Sequence, residues 1–92
     1  MTQAETPEAR LKRMKMRSWR RGTKEMDLVL GPWADSNLGG LTSAQLETYE
    51  ILLAENDQDL MAWIFGQAEA KAEIAPLLAE ITTFARERLR KV

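Results

Sequence analysis

The sequence predicts an all-α fold, a compact bundle of about five short helices, and three observations carry that prediction. Apolar residues recur at i, i+3, i+4 and i+7 in the longer segments. No segment alternates with the period of two that a half-buried strand requires. Helix-start signals precede the apolar stripes at Thr6-Pro7, at Thr42 and at Asn56-Asp57.

Each element follows from its own residues. Thr6 reads as an N-cap with Pro7 at the first helical position, where a missing N–H costs nothing. The first helix should run to about Arg20, with Leu11 and Met14 on a narrow apolar stripe that Ser18 extends. Gly22 interrupts it. A second helix should begin near Thr23 and carry Met26, Val29, Leu30 and Trp33 on one face. Gly31-Pro32 falls inside that pattern, and proline lacks a donor, so a kink or break is expected there. Asn37-Leu38-Gly39-Gly40 reads as a loop. Thr42 followed by Gln45 is a capping-box pattern that opens a third helix with Leu46, Tyr49, Leu52 and Leu53 inward. Asn56-Asp57 ends that helix and caps a fourth, whose Leu60, Trp63 and Ile64 should face the core. Gly66 is a natural stop. A last helix starts near Pro76 and carries Leu77, Leu78, Ile81, Phe84 and Leu89. The chain is expected to form one domain over residues 1–92, with 1–6 disordered and with 67–73 and 90–92 frayed.

Composition excludes several functions. The chain of 92 residues contains no Cys and no His. Disulfides, Cys/His zinc sites and thiol or imidazole nucleophiles are therefore ruled out. General acid–base catalysis loses its commonest group. No enzyme is expected, and no catalytic, metal-binding or cofactor-binding set is assigned. Apolar runs are too short for a membrane span, so no membrane insertion is expected. The first residues are polar and lack a signal peptide, which points to the cytoplasm.

The net charge of −1 hides an uneven distribution. Residues 8–24 hold eight basic side chains against Glu8, and residues 25–85 hold eleven acids against Lys71. Such asymmetry steers partners through local fields even near zero net charge. The alternative use of the basic first helix is a regulatory binding module, nucleic-acid-binding or antitoxin-like, gripping phosphates through residues 10–24. No recognition helix accompanies it, and the acidic remainder would repel a long phosphate backbone, so nucleic acid is not the expected partner.

The densest chemistry is Ser18-Trp-Arg-Arg-Gly-Thr-Lys-Glu-Met-Asp27. It joins a double arginine, a glycine and two carboxylates at the end of a basic helix. Arg21 offers a planar fork of donors for carboxylates or phosphates. Gly22 permits backbone angles closed to other residues and close approach by a partner. Glu25 and Asp27 offer only acceptors when ionised. The bland reading is a helix break with a surface ion pair worth about 0–1 kcal/mol. Glu25 and Asp27 lie two apart and would splay from a helix, so they make a poor catalytic dyad. Asp57 reads as an N-cap and Asp59 as a complement to the positive helix end. Trp63 and Trp33 read as core. Trp19 has two open uses, stacking on a partner or covering the edge of the bundle. Met14 and Met16 suit core gaps or a partner surface.

The pattern Ser18, Arg20, Arg21, Gly22, Glu25, Asp27 resembles the signature of the SdhE-type succinate dehydrogenase assembly factors, which assist covalent attachment of FAD to a flavoprotein. Asp57-x-Asp59-Leu60-x-x-Trp63 resembles a second segment of that family, and the likeness runs from about Arg10 to Gly66. It implies an assembly chaperone that binds the flavoprotein subunit of succinate dehydrogenase, and the related fumarate reductase, and acts as a monomer. FAD would be handled in the partner, since covalent flavin usually hangs on His or Cys. The implied partner-binding residues are Arg17, Arg20, Arg21, Gly22, Glu25 and Asp27. In this reading Arg20 and Arg21 pair with partner carboxylates or carbonyls, Gly22 allows close approach, and Glu25 and Asp27 accept partner hydrogen bonds.

Overall fold

A computed structural model describes the backbone of residues 5–90 and the side chains through residue 88. Five α-helices follow one another: α1 Pro7–Trp19, α2 Lys24–Asn37, α3 Ser43–Leu53, α4 Asp57–Ile64 and α5 Ala75–Arg90. A single 3₁₀ turn, Leu38–Gly40, joins α2 to α3. The described residues contain no strand.

The helix starts follow the capping chemistry. The Thr6 hydroxyl accepts from Ala9 N–H at 3.1 Å, with Pro7 at the first helical position. Thr23 caps α2 by accepting from Met26 N–H. Thr42 and Gln45 form the full reciprocal capping box of α3, at 3.1 and 2.9 Å. Each such cap satisfies a donor that would otherwise be orphaned, worth about 1 kcal/mol. Glu5 lies before the first cap and pairs with Arg13 at 2.8 Å. Residues 67–73 form turns and irregular backbone. The expectations for residues 1–4, for 91–92 and for the Leu89 side chain fall outside the described residues.

The core joins all five helices. Met14 of α1, Met26, Leu30, Trp33 and Ala34 of α2, Tyr49, Leu52 and Leu53 of α3, Leu60 and Ile64 of α4, and Leu77, Leu78 and Ile81 of α5 are buried, with Leu38 and Ile74 from the connections. The rings of Trp33 and Tyr49 stack at a tilt of 34°, 5.1 Å apart. Ser18 is the polar residue inside this core. Its hydroxyl lies 2.8 Å from Met14 C=O and 2.6 Å from the Tyr49 hydroxyl. One consistent arrangement has Ser18 donating to the carbonyl and Tyr49 donating to Ser18, so neither buried group is left unpaired. Burial pushes the Tyr49 hydroxyl up to about 12, against smaller lowering by Ser18 and Arg21.

Three expectations change. Of the kink or break expected at Pro32, the break does not occur, because α2 is continuous through it. Leu30 before the proline and Trp33 and Ala34 after it are all buried, so packing on both sides outweighs the lost hydrogen bond. Asn37-Leu38-Gly39-Gly40 is not an open loop, because Asn37 ends α2 and Leu38 is buried in the 3₁₀ turn. Trp63 is only half-buried, packed against the core rather than within it. Helix α4 is eight residues long, and its fully inward positions go to Leu60 and Ile64.

Candidate functional site

The signature segment lies at the α1–α2 junction and faces the α3–α4 junction across a short gap. Helix α1 ends at Trp19, with Arg20 in a non-helical conformation. Gly22 then takes φ = +103°, which L side chains rarely adopt, and so turns the chain into α2. This turn aims Arg21 inward. Its side chain is only 9% exposed.

Arg21 bolts the two junctions together. Its Nε donates to Asp57 Oδ1 at 2.9 Å, and its Nη2 lies 2.8 Å from the same oxygen. The guanidinium also donates to Leu53 C=O and, at 2.7 Å, to Glu55 C=O. These carbonyls belong to the end of α3 and the link beyond it, where a helix leaves acceptors without intrahelical partners. A cation at that end also complements the helix dipole, as the Asp57 carboxylate does in the first turn of α4. Arg21 N–H in turn donates to Asp27 Oδ1 at 2.6 Å. The planar fork of arginine meets all of these acceptors at once, which a lysine ammonium could not.

A further cation holds the link from another direction. Lys71 Nζ lies 2.8 Å from Glu55 Oε2, and this hydrogen bond raises the lysine pKa. Along α1, Arg10 and Arg13 pair with Glu50 of α3 at 2.8 and 3.2 Å.

The structure thus divides the signature. Ser18, Arg21 and Asp27 turn inward and build the junction. Arg20, Gly22 and Glu25 are exposed, as is Arg17 one turn earlier. An open groove lies between the two junctions, lined by Arg17, Arg20, Arg21, Gly22, Thr23, Glu55, Asn56, Asp57 and Gln58. Glu25 and Asp27 lie outside that lining. Arg21 and Asp27, both implied as partner-binding, are engaged by intramolecular contacts. The reading of Asp57 as the N-cap is corrected. Asn56 is the N-cap of α4, accepting from Gln58 N–H at 2.7 Å, which leaves the Asp57 carboxylate for Arg21.

Trp19 covers the edge of the bundle. Its ring lies over Gly31, where an added Cβ would fall well inside van der Waals contact with three ring carbons. Its Nε1 donates to Asp35 Oδ2 at 3.2 Å. Sequence reasoning missed Tyr49 as the partner of Ser18, and Asp57 with the Leu53 and Glu55 carbonyls as partners of Arg21. A small-to-large match between Gly31 and Trp19 was an available but weak signal.

An open polar groove beside exposed guanidinium groups suits docking against another macromolecule, since small-molecule sites ordinarily bury most of their ligand. Among the described residues, no group of acidic side chains could hold a metal ion, and no helix is long and apolar enough to cross a membrane. Comparison with known proteins defines the class. A family model described as "flavinator of succinate dehydrogenase" matches residues 12–85. The FAD assembly factor SdhE of Legionella pneumophila (strain Lens) is 40% identical over 67 residues, 73% of this chain and 80% of that protein. The FAD assembly factor SdhE of Acetobacter pasteurianus is 33% identical over 81 residues, 87% of this chain and 74% of that protein. The mitochondrial succinate dehydrogenase assembly factor 2 of Dictyostelium discoideum is 40% identical over 62 residues, 67% of this chain and 44% of that protein. The chain belongs to the family of succinate dehydrogenase flavinators.

Proposed function

We propose that this chain is a non-enzymatic assembly factor. It binds the flavoprotein subunit of succinate dehydrogenase, and the related fumarate reductase subunit, and promotes covalent FAD attachment there. The observation that carries the reading is the divided signature: half of it builds a rigid junction, and the other half is displayed beside an open groove. The acceptor residue for flavin must lie in the partner, because this chain has no His or Cys. Its contribution is to hold the partner where bound FAD and acceptor meet, which is catalysis by positioning.

Roles follow from exposure. Arg17, Arg20, Gly22 and Glu25 meet the partner. Arg21 and Asp27 act behind them by fixing the chain that presents Gly22 and Glu25. The factor works as a monomer and as one helical domain. The compartment proposed for it is the cytoplasm, while its relatives include both bacterial and mitochondrial proteins.

Glu25→Ala tests this most cleanly. Glu25 is exposed although its neighbour Met26 is buried, so truncating it removes no core contact. Losing one partner of a desolvated interface pair costs about 2–5 kcal/mol of binding. Covalent flavin on the succinate dehydrogenase flavoprotein should fall in cells carrying only this variant, while circular dichroism stays near wild type. Normal flavinylation would refute the assigned role of Glu25. Gly22→Arg is a poorer test, because φ = +103° adds backbone strain to any loss of contact.

A further inference from the structure

The arginines of α1 and of the turn after it differ in what they touch. Arg10 and Arg13 have carboxylate partners on α3, and Arg21 has Asp57. Arg17 makes one long contact, 3.4 Å to Leu53 C=O, and Arg20 makes no ion pair among the described residues. Both are exposed. Beside Arg17, Met16 is 45% exposed, whereas Met14 on the same helix is buried.

These residues share one face. Arg13, Met16, Arg17 and Arg20 surround a shallow, largely apolar dip on the outside of α1. Arg17 and Arg20 also line the groove of the signature, so the dip and the groove form a continuous surface. The acids nearest the groove do not neutralise it, because Asp57 is tied to Arg21 and Glu55 to Lys71.

We infer that this outer face of α1 extends the docking surface and receives an acidic segment of the flavoprotein, one that brings carboxylates to Arg17 and Arg20 and seats an apolar side chain on Met16. The inference rests on the proposed function and adds the chemistry of the partner. Charge complementarity selects the occupant. Guanidinium groups pair with carboxylates through two parallel bonds. The thioether adapts to an apolar side chain of varied shape. Nucleic acid would use the guanidinium groups but leave the apolar dip unfilled, and the neighbouring Arg10, Arg13 and Arg21 are already paired.

The two components have different kinetic signatures. Exposed charges steer encounter, so Arg17→Gln with Arg20→Gln should slow association with the purified flavoprotein subunit about tenfold at low salt. It should also flatten the salt dependence of the on-rate. Met16→Ser should leave the on-rate unchanged and raise the off-rate several-fold, as loss of a packed apolar contact does. All three side chains are exposed, so melting temperatures should stay near wild type. Glu25→Gln serves as the reference for the signature itself. If Glu25→Gln weakens binding while the α1 variants bind as wild type does, the acidic-segment inference is wrong and the docking reading stands. If wild type fails to bind the flavoprotein subunit, both are overturned. A single-stranded oligonucleotide that binds wild type as tightly as the subunit does, and is lost in the double arginine variant, would assign the face to phosphates instead.

Discussion

Replacing Arg21 by alanine should damage the fold before it damages any contact with a partner. The side chains of Arg21 and Asp57 are 9% and 17% exposed, so the pair is largely withdrawn from water. Breaking a buried pair by removing one member costs about 3–5 kcal/mol. The groove beside it is open, which lets water reach Asp57 and places this case near the lower figure. The Glu55 carbonyl also loses its donor and the Leu53 carbonyl keeps only the long contact from Arg17, at about 0.5–1 kcal/mol each if water replaces the lost bond. The total is about 4 kcal/mol, a large share of the roughly 5–15 kcal/mol that holds a domain together. For a domain this size each kcal/mol moves the midpoint by about 4–8 °C, so Arg21→Ala should melt at least about 15 °C below wild type. Arg21→Lys keeps the charge near Asp57 but cannot reach every acceptor, and should fall between. Thermal unfolding followed by circular dichroism measures both. A double-mutant cycle with Asp57→Ala should show strong coupling, because the second change removes what the first had already lost. An Arg21→Ala variant that melts within about 2 °C of wild type would refute the bolt and return Arg21 to the partner surface.

Other perturbations read separate parts of the structure. Gly22→Ala meets no close atom, since the nearest to an added Cβ is Asp57 Oδ2 at 3.8 Å, so its cost is backbone strain of about 1–3 kcal/mol, checked by urea denaturation. Gly31→Ala should destabilise the wild type by forcing the Trp19 ring aside, yet be neutral or stabilising in a Trp19→Ala background, where only helix propensity remains; equal effects in both backgrounds would rule out the Trp19 packing. The Tyr49 hydroxyl stays protonated in the folded chain up to about 12, while the unfolded group ionises near 10.0. The unfolded state therefore holds fewer protons in that window, and stability falls as pH rises through it, by up to about 3 kcal/mol, a loss that Tyr49→Phe should not show when the two proteins are denatured at pH values across that window.

How far the sequence discloses this molecule depends on the range of the interaction. The caps at Thr6, Thr23, Thr42 and Asn56 act within three residues, and the helical stripes repeat within a few turns, so each can be read locally. The continuity of α2 through Pro32 could not be read so, because it depends on packing contributed by other helices. Trp63 sits at a helical spacing that suggests burial, but a short α4 has room to bury Leu60 and Ile64 and only part of a third, larger side chain.

The signature shows the same limit more sharply. Its residue types announce a polar site, and that much is local. Which way each side chain points is decided by partners 31 to 36 residues away: Tyr49 for Ser18, Leu53, Glu55 and Asp57 for Arg21. Adjacent arginines of identical chemistry thereby acquire opposite roles, Arg21 fixed inside and Arg20 exposed outside. The positive φ of Gly22 immediately after them makes the division possible, since it lets the chain reverse into α2 while the Arg21 fork stays aimed at the α3–α4 junction. The second family-like segment then has a physical explanation. Its Asp57 is the counter-ion of Arg21 in the first, so in this chain the two segments form one structural unit rather than two independent sites.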